Sequence, residues 1–204
     1  EVLGERALAF AADAVRAYEQ RFGPYPYREL SVFQATTPIG GIEYPMTVGV
    51  TPIRNDDAYF EWLVAHEVGH QWFYGLIGSD PGQEAWLDEA LTQYVTSLYV
   101  ATRSGESTAR DRRQRFFTDR WRSEVRSRGD VRVAQPTYAF ARWAYAPIVY
   151  GKAPLFFQAV HDAVGASLTE QWLRDYADAK RFGIATSEDL LAAADRAGIG
   201  AQVR

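Results

Sequence analysis

The chain of 204 residues contains no cysteine, which excludes both a disulfide framework and a thiolate metal site. The cellular compartment stays open, because a protein without cysteine suits either redox environment. No apolar run reaches the length of about 18 residues that a transmembrane helix needs, so none is predicted. The net charge of −4 provides no general attraction to nucleic acid or anionic lipid, and no nucleic-acid partner is expected. With 47% hydrophobic residues, the chain is large enough for one well-packed domain.

The hydrophobic pattern predicts an α+β fold class, mostly helical, with a small sheet near the beginning. Short strands are expected at residues 30–35 and 47–50, on either side of a Gly40-Gly41 turn. Helices are expected at 4–21, from Asp56 or Asp57 through Tyr74, and at 83–103, 106–127, 145–164, 168–182 and 186–197. No repeat or linker interrupts residues 1–204, so a single domain is predicted.

An arginine-rich segment, residues 110–132, carries nine arginines against four acidic residues. Such a segment fits either an anionic partner or a solvated helix face. No aromatic pattern suited to base stacking accompanies the charge, so the solvated face is the favoured interpretation.

Histidine is also scarce, and two of the three histidines lie in His66-Glu67-Val68-Gly69-His70. On a helix, positions i and i+4 lie one above the other, so two imidazoles can reach one ion. Glu67 is the next residue along the helix and can hold a metal-bound water. The third histidine, His161, stands alone on another predicted helix and is expected to be a surface or packing residue.

Two histidines leave a metal site incomplete, and Glu89 is the predicted third ligand. Eighteen residues separate it from His70, enough for the first helix to end, a glycine-containing turn, and a returning helix. Two histidines and one carboxylate leave the fourth position of a zinc ion open for water, which is typical of a catalytic site. The alternative, a helix that carries two core histidines without a metal, does not account for Glu89 at this spacing. Asp88, Thr92 and Gln93 are candidates for orienting the ligands.

These residues resemble the gluzincin arrangement, and the flanking sequence is similar to the catalytic domain of the aminopeptidase N family, which includes leukotriene A4 hydrolase. The similarity extends from Phe22-Gly23-Pro24-Tyr25-Pro26-Tyr27 through the helix after Tyr150. The resemblance implies a thermolysin-like zinc peptidase domain with one Zn²⁺ per chain. It also implies neighbouring domains, so we expect these 204 residues to be a piece of a longer multidomain protein.

The same resemblance assigns residues that handle substrate. Gly40-Gly41-Ile42-Glu43-Tyr44 is similar to the family's Gly-x-Met-Glu-Asn segment, whose glutamate holds the free α-ammonium group of a peptide. Ile42 and Tyr44 depart from that pattern, while the carboxylate of Glu43 is kept. A simple Gly-Gly turn with a solvated glutamate is the alternative.

Tyr150 is selected among twelve tyrosines by the resemblance alone. Tyr150-Gly151-Lys152-Ala153 is similar to the family's Tyr-Glu-Lys-Gly stretch, whose tyrosine hydrogen-bonds the oxyanion, although Gly151 and Ala153 depart from it. A phenol stays protonated at neutral pH and can donate to developing negative charge.

The predicted function is zinc-dependent hydrolysis of peptides at their N-terminal residue, with Glu67 as general base. Two alternatives stay open: a zinc endopeptidase that requires no free amine, and a non-catalytic zinc-bearing binding domain. The altered segment around Glu43 supports the first, and the presence of Glu67 argues against the second.

Overall fold

The computed structural model describes residues 2–204, and within them three strands form one small sheet. Strand β1 is Ser31–Gln34, β2 is Gly41–Tyr44 and β3 is Thr47–Val50. The order is β1-β3-β2, with β3 parallel to β1 and antiparallel to β2, and Glu43 lies opposite Val48. The prediction of strands at 30–35 and 47–50 agrees with β1 and β3, whereas the glycine segment read as a turn also supplies β2.

Helix α2, Asp57–Gly69, lies against the sheet at the centre of the domain. Asp56 caps it by accepting a hydrogen bond from the amide of Tyr59 at 3.0 Å. Every residue from Phe60 to Gly69 is buried, as expected of a helix surrounded by other elements. Helix α1, Val2–Phe22, packs against it, and the Tyr18 hydroxyl donates to the Ala65 carbonyl at 2.9 Å.

The prediction that this helix continues through Tyr74 is wrong, because α2 ends at Gly69. Beyond it the Gly75 amide donates to the His70 carbonyl at 2.7 Å, a bond across five residues that closes a turn instead of extending an α-helix. Short α3, Pro81–Glu84, follows, and then α4, Trp86–Ser104, returns along α2.

The remaining helices bound the other side of the domain. They are α5 (Glu106–Arg113), α6 (Arg120–Arg128), α7 (Tyr145–Pro147), α8 (Pro154–Val164), α9 (Ala166–Ala179), α10 (Ser187–Arg196) and α11 (Gly200–Val203). The predicted helices at 106–127 and 145–164 are not regular. A π-helical segment, Gln114–Asp119, separates α5 from α6 in the first, and another, Ile148–Lys152, separates the short α7 from α8 in the second. A 3-10 turn, Thr137–Ala139, lies between them.

Pro154 explains the second irregularity in part, because proline has no amide hydrogen to continue the helical ladder. Immediately before it, the Ala153 amide donates to the Ile148 carbonyl at 2.8 Å, the i to i+5 bond of a π-helix. Apart from these interruptions, the observed architecture confirms the predicted fold class. No helix among residues 2–204 is both long and apolar enough to cross a bilayer.

Candidate metal centre

The three predicted metal ligands converge at the point where α2 ends and α4 begins. His66 lies in the last turn of α2, His70 caps that helix, and Glu89 lies in the first turn of α4. Nε2 of His66 lies 3.2 Å from Nε2 of His70 and 3.2 Å from Oε2 of Glu89, and the remaining His70–Glu89 separation is 3.4 Å. A tetrahedral zinc with ligands at about 2.0–2.1 Å requires ligand atoms about 3.3–3.4 Å apart. The three atoms therefore fit one zinc ion.

Buried carboxylates make this point attractive to positive charge. Although burial acts to lower the pKa of His70, the hydrogen bond and charge of Glu89, with the charges of Glu43 and Glu67, raise it to about 10. Burial pushes the pKa of Glu89 upward, but the two histidines hold it below its ordinary value. The pKa of His66 is lowered by burial, which favours the neutral imidazole that a metal requires.

His70 is oriented by contacts of its second ring nitrogen. Nδ1 lies 3.1 Å from the Phe73 carbonyl and 3.3 Å from Oγ1 of Thr92. When Nδ1–H donates to that carbonyl, the lone pair of Nε2 faces the metal position. Phe73 was not a sequence candidate, because a backbone carbonyl after the end of a helix carries no side-chain signal.

The two other orienting candidates contact different groups. The Asp88 carboxylate accepts the backbone amide of Glu89 at 2.6 Å, and burial, together with the charge of Glu89, raises its pKa to about 7. Oε1 of Gln93 accepts the indole N–H of Trp62 at 2.8 Å. Thr92 is thus the one of the three that reaches a histidine ring.

Glu67 lies beside the ligand triad and is almost fully buried. Glu43, Glu67 and His70 each bring one ligand-capable atom to this place, and the three atoms lie within 4.8 Å of one another. They are one carboxylate oxygen from each glutamate and one ring nitrogen of the histidine. Burial raises the pKa of Glu67 to about 8. The charges of Glu43 and Glu89 act in the same direction, and the charge of His70 acts in the opposite one. Its Oε2 is buried and has no hydrogen-bond partner among the described residues, so the hydrogen-bonding capacity of this oxygen is unused by the protein.

Gly41, the first residue of β2, permits the close approach of Glu67 to the sheet. A Cβ atom at Gly41 would overlap the carboxylate of Glu67. Gly40 adopts φ of 101°, a conformation that side chains other than glycine rarely take. Both glycines border a cleft of about 570 Å³ that also contains Glu43 and the three ligand residues.

Tyr150 lies on the opposite wall of this cleft, in the π-helical segment before α8. Its hydroxyl donates to Oε1 of Glu89 at 2.5 Å, and its ring centroid lies 6.1 Å from that of His66. Burial and the charge of Glu89 raise the pKa of Tyr150 above its ordinary value, so the phenol stays a proton donor.

Two further residues of this wall were missed from the sequence. The ring of Tyr145 lies 6.1 Å from that of Tyr150, and the guanidinium of Arg120 lies 5.4 Å from the Tyr150 ring centroid. Neither residue has a motif that distinguishes it from the other tyrosines or arginines. His161 lies outside the cleft, where its Nδ1 is 2.7 Å from the Tyr94 hydroxyl, in agreement with the predicted packing role.

A comparison with known protein families assigns the chain to one of them. The model of the peptidase family M1 domain matches residues 9–203. The chain belongs to peptidase family M1. This membership confirms the predicted family, the predicted class of enzyme, a metallopeptidase, and zinc as its metal.

Curated relatives of this M1 domain are aminopeptidases and a leukotriene A-4 hydrolase. Rat aminopeptidase B (Rattus norvegicus) is 34% identical over 80 residues, which are 38% of this chain and 12% of the relative. Leucine aminopeptidase 2 of Neosartorya fischeri is 32% identical over 110 residues, 51% of this chain and 18% of the relative. Leukotriene A-4 hydrolase of Xenopus laevis is 30% identical over 92 residues, 45% of this chain and 14% of the relative. The matched region is thus less than a fifth of each relative.

Solved structures extend the similarity over nearly the whole M1 domain. The M1 zinc metallopeptidase of Deinococcus radiodurans superposes with a TM-score of 0.73 at 19% identity, over 95% of this chain and 42% of that chain. Yeast LTA4 hydrolase in complex with bestatin superposes with a TM-score of 0.81 at 17% identity, over 94% of this chain and 32% of that chain. At these identities the similarity is one of fold.

Proposed function

We propose that this M1 domain removes single N-terminal residues from peptides, with His66, His70 and Glu89 holding one zinc ion. One observation carries the proposal: a single cleft brings the ligand triad together with Glu67 and Glu43. A site that only bound zinc for structural reasons would have no use for two additional carboxylates beside the ligands.

When bound, zinc lowers the pKa of a coordinated water and polarises the scissile carbonyl. Glu67 accepts the proton of the attacking water and returns it to the nitrogen of the leaving amine. Its buried position beside the triad, with one oxygen free of protein partners among residues 2–204, supports this role.

Tyr150 donates its hydroxyl hydrogen to the oxygen of the scissile carbonyl as negative charge develops there. In the free protein this hydrogen is directed to Oε1 of Glu89, so the hydroxyl already lies at the edge of the centre. The donation requires only that the O–H bond turn from one oxygen to another.

Glu43 binds the free ammonium group and thereby selects the first peptide bond. Its carboxylate lies within 4.8 Å of ligand-capable atoms of both Glu67 and His70. In a peptide, the terminal nitrogen is only about 2.5 Å from the carbonyl carbon of the same residue. A carboxylate this close to the centre therefore suits one residue between the amine and the reacting bond.

The decisive assay compares aminoacyl-anilides with free and N-acetylated amino ends, with and without a zinc chelator. Chelator-sensitive turnover of the free-amine substrates alone is expected. Comparable turnover of both sets would remove the amine-binding role of Glu43 and identify an endopeptidase. No turnover of either set would leave a zinc-bearing binding domain, to be tested again with the longer parent chain.

The role of Glu67 is tested in the same assay with Glu67→Gln. The amide is nearly the same size but cannot accept a proton, so kcat is expected to fall by about 10²–10⁴-fold. Zinc content, measured by elemental analysis, is expected to stay at one ion per chain because the three ligands are intact. Undiminished turnover by this variant would contradict the assignment.

A further inference from the structure

The cleft has two sides, which the contacts of β2 with α2 distinguish. Glu43 lies close to His70 and Gly41 against Glu67. A Cβ atom at Gly40 would lie 3.3 Å from the Tyr59 hydroxyl and 3.4 Å from Cδ1 of Leu63. Movement along the chain from Glu43 through Gly41 to Gly40 therefore passes Glu67 and continues toward the beginning of α2.

This direction defines the side of the cleft that holds the leaving part of a substrate. If the ammonium group is bound at Glu43, as in the proposed function on which this inference rests, the residue after the cleaved bond extends past Glu67. There it meets an apolar wall. The rings of Trp62 and Phe116 lie 4.8 Å apart, those of Tyr59 and Phe116 lie 6.0 Å apart, and Leu63 completes the wall.

Arg120 adds a positive charge to the same cleft, beside Tyr150. It follows Phe116 by four residues, lines the cleft, and holds its guanidinium 5.4 Å from the centroid of the Tyr150 ring. The cleft otherwise contains carboxylates, those of Glu43, Glu67 and Glu89. Arg120 is thus the arginine of a cleft that also holds three carboxylates and the two ligand histidines.

Neighbouring arginines of the same segment have acidic partners. Arg112 pairs with Glu61 at 3.7 Å, Arg113 with Glu106, and Arg115 with Asp56. Arg120 is exposed and forms no ion pair within residues 2–204, as is also true of Arg110, Arg122, Arg126 and Arg132, and its guanidinium lies over the Tyr150 ring. What distinguishes Arg120 from the other arginines of residues 110–132 is that it lines the cleft, which a solvated helix face does not require.

We propose that Arg120 binds the C-terminal carboxylate of the residue that follows the cleaved bond. The preferred substrates are then short peptides whose last residue is this one. The planar guanidinium matches a carboxylate through two parallel hydrogen bonds. One extended residue spans about 3.5 Å, so the C-terminal carboxylate of a dipeptide lies one residue beyond the reacting carbonyl that Tyr150 contacts. The apolar wall receives the side chain of that second residue, and the substrate class is a dipeptide with an apolar second residue.

A set of three dipeptides tests the proposal, each beginning with the residue that the anilide panel turns over best. The second residue is phenylalanine with a free carboxylate, phenylalanine amide, or glutamic acid α-amide. We expect kcat/KM for the free acid to exceed that for phenylalanine amide by about tenfold, mainly through KM. A preference for the glutamic acid α-amide over both others would assign the carboxylate to a side chain and overturn the dipeptide class.

Variants separate the role of Arg120 from a general effect of charge. Arg120→Gln is expected to reduce the preference for the free acid to near one, and Arg120→Lys to retain part of it. Arg122→Gln, a change of an exposed arginine two residues away on the same helix, is expected to leave the preference unchanged. A preference that survives in Arg120→Gln, or that the wild-type protein lacks, would overturn the proposal.

Calorimetry on zinc-loaded Glu67→Gln protein distinguishes failure of this inference from failure of the proposed function. Tighter binding of the free acid than of the amide, lost in the Glu67→Gln, Arg120→Gln double variant, would support Arg120 even if no peptide were cleaved. Turnover of anilides together with equal binding of acid and amide would overturn the role of Arg120 and leave the aminopeptidase proposal intact.

Discussion

Tyr150 contributes a single hydroxyl to the centre, and that hydroxyl can be removed without changing the shape of the ring. Loss of a donor to the developing oxyanion costs about 10²–10³-fold in kcat, so a decrease of this size is expected for Tyr150→Phe. Zinc content should not change, because Tyr150 is not among the three converging ligand residues. The matched control is Tyr138→Phe at an 80% exposed tyrosine. An equal kcat for the two variants would exclude Tyr150 from catalysis.

Gly41 has a role that depends on its lack of a side chain. In Gly41→Ala the new methyl group would overlap the Glu67 carboxylate and displace it from the triad. A displacement of about 1 Å can reduce turnover about 10²-fold, and this is the decrease expected in kcat with zinc still bound. Gly4→Ala is the control, since no atom lies within 4 Å of a Cβ at that position. Full activity of Gly41→Ala would show that turnover does not depend on the close approach of the Glu67 carboxylate to Gly41.

Helix α2 depends on its N-cap, which is also an ion-pair partner. Asp56 accepts the amide of Tyr59 and pairs with Arg115. Asp56→Ala is expected to lower the free energy of unfolding by about 1 kcal/mol, measured by urea denaturation, while Asp56→Asn keeps a good cap and costs less. Equal destabilisation by both variants would assign the effect to the ion pair.

The Asp56 pair also has a defined pH dependence. The hydrogen bond from Arg115 lowers the pKa of Asp56 below its ordinary value. A carboxylate whose pKa is lowered by folding stabilises the protein above its unfolded pKa, about 3.9, and loses that contribution as the pH falls through the lowered value. The stability difference between wild type and Asp56→Asn should therefore be present at neutral pH and disappear in acid. If the stability difference persisted at a pH below both the folded and the unfolded pKa of Asp56, the charge of Asp56 would not be its cause.

At the scale of the whole molecule, the candidate metal site joins two separate helices, α2 and α4. His66 and His70 belong to α2 and Glu89 to α4, so an ion bound by all three is lost when the domain unfolds. A ligand at a thousandfold excess over its Kd stabilises the folded state by about 4 kcal/mol. Chelation should therefore lower Tm substantially, as measured by calorimetry.

Glu89→Gln should abolish most of this metal-dependent increment. His161→Ala is the control, because His161 contacts Tyr94 outside the cleft and should leave the increment intact. A Tm that does not respond to chelation would mean that the three residues do not hold a metal in the folded protein.

The ligand set could be predicted from sequence because its geometry is mostly local. His66 and His70 are separated by one helical turn, and a single returning helix suffices to bring Glu89 back to them. The small sheet and most helices were also predictable, since hydrophobic periodicity and terminal glycines are local signals. The end of α2 was not, because Tyr74 continues the apolar pattern while the turn after Gly69 is held by distant residues, since Gly75 accepts from the Tyr27 hydroxyl at 2.6 Å and Trp72 donates to the Gly23 carbonyl at 3.1 Å.

Only the tertiary structure decided which residues surround the ligands in the cleft. Tyr150 needed the family resemblance to be selected, and Tyr145 and Arg120 had no distinguishing pattern at all. Their positions depend on the packing of the π-helical segment Ile148–Lys152 against α4 and of the two π-helical segments against each other, contacts between residues that are distant in sequence. The sequence alone was enough to predict that the candidate ligands come together, because His66 and His70 lie one helical turn apart. The shape and charge of the substrate side required the tertiary structure, because they arise only where separate elements meet.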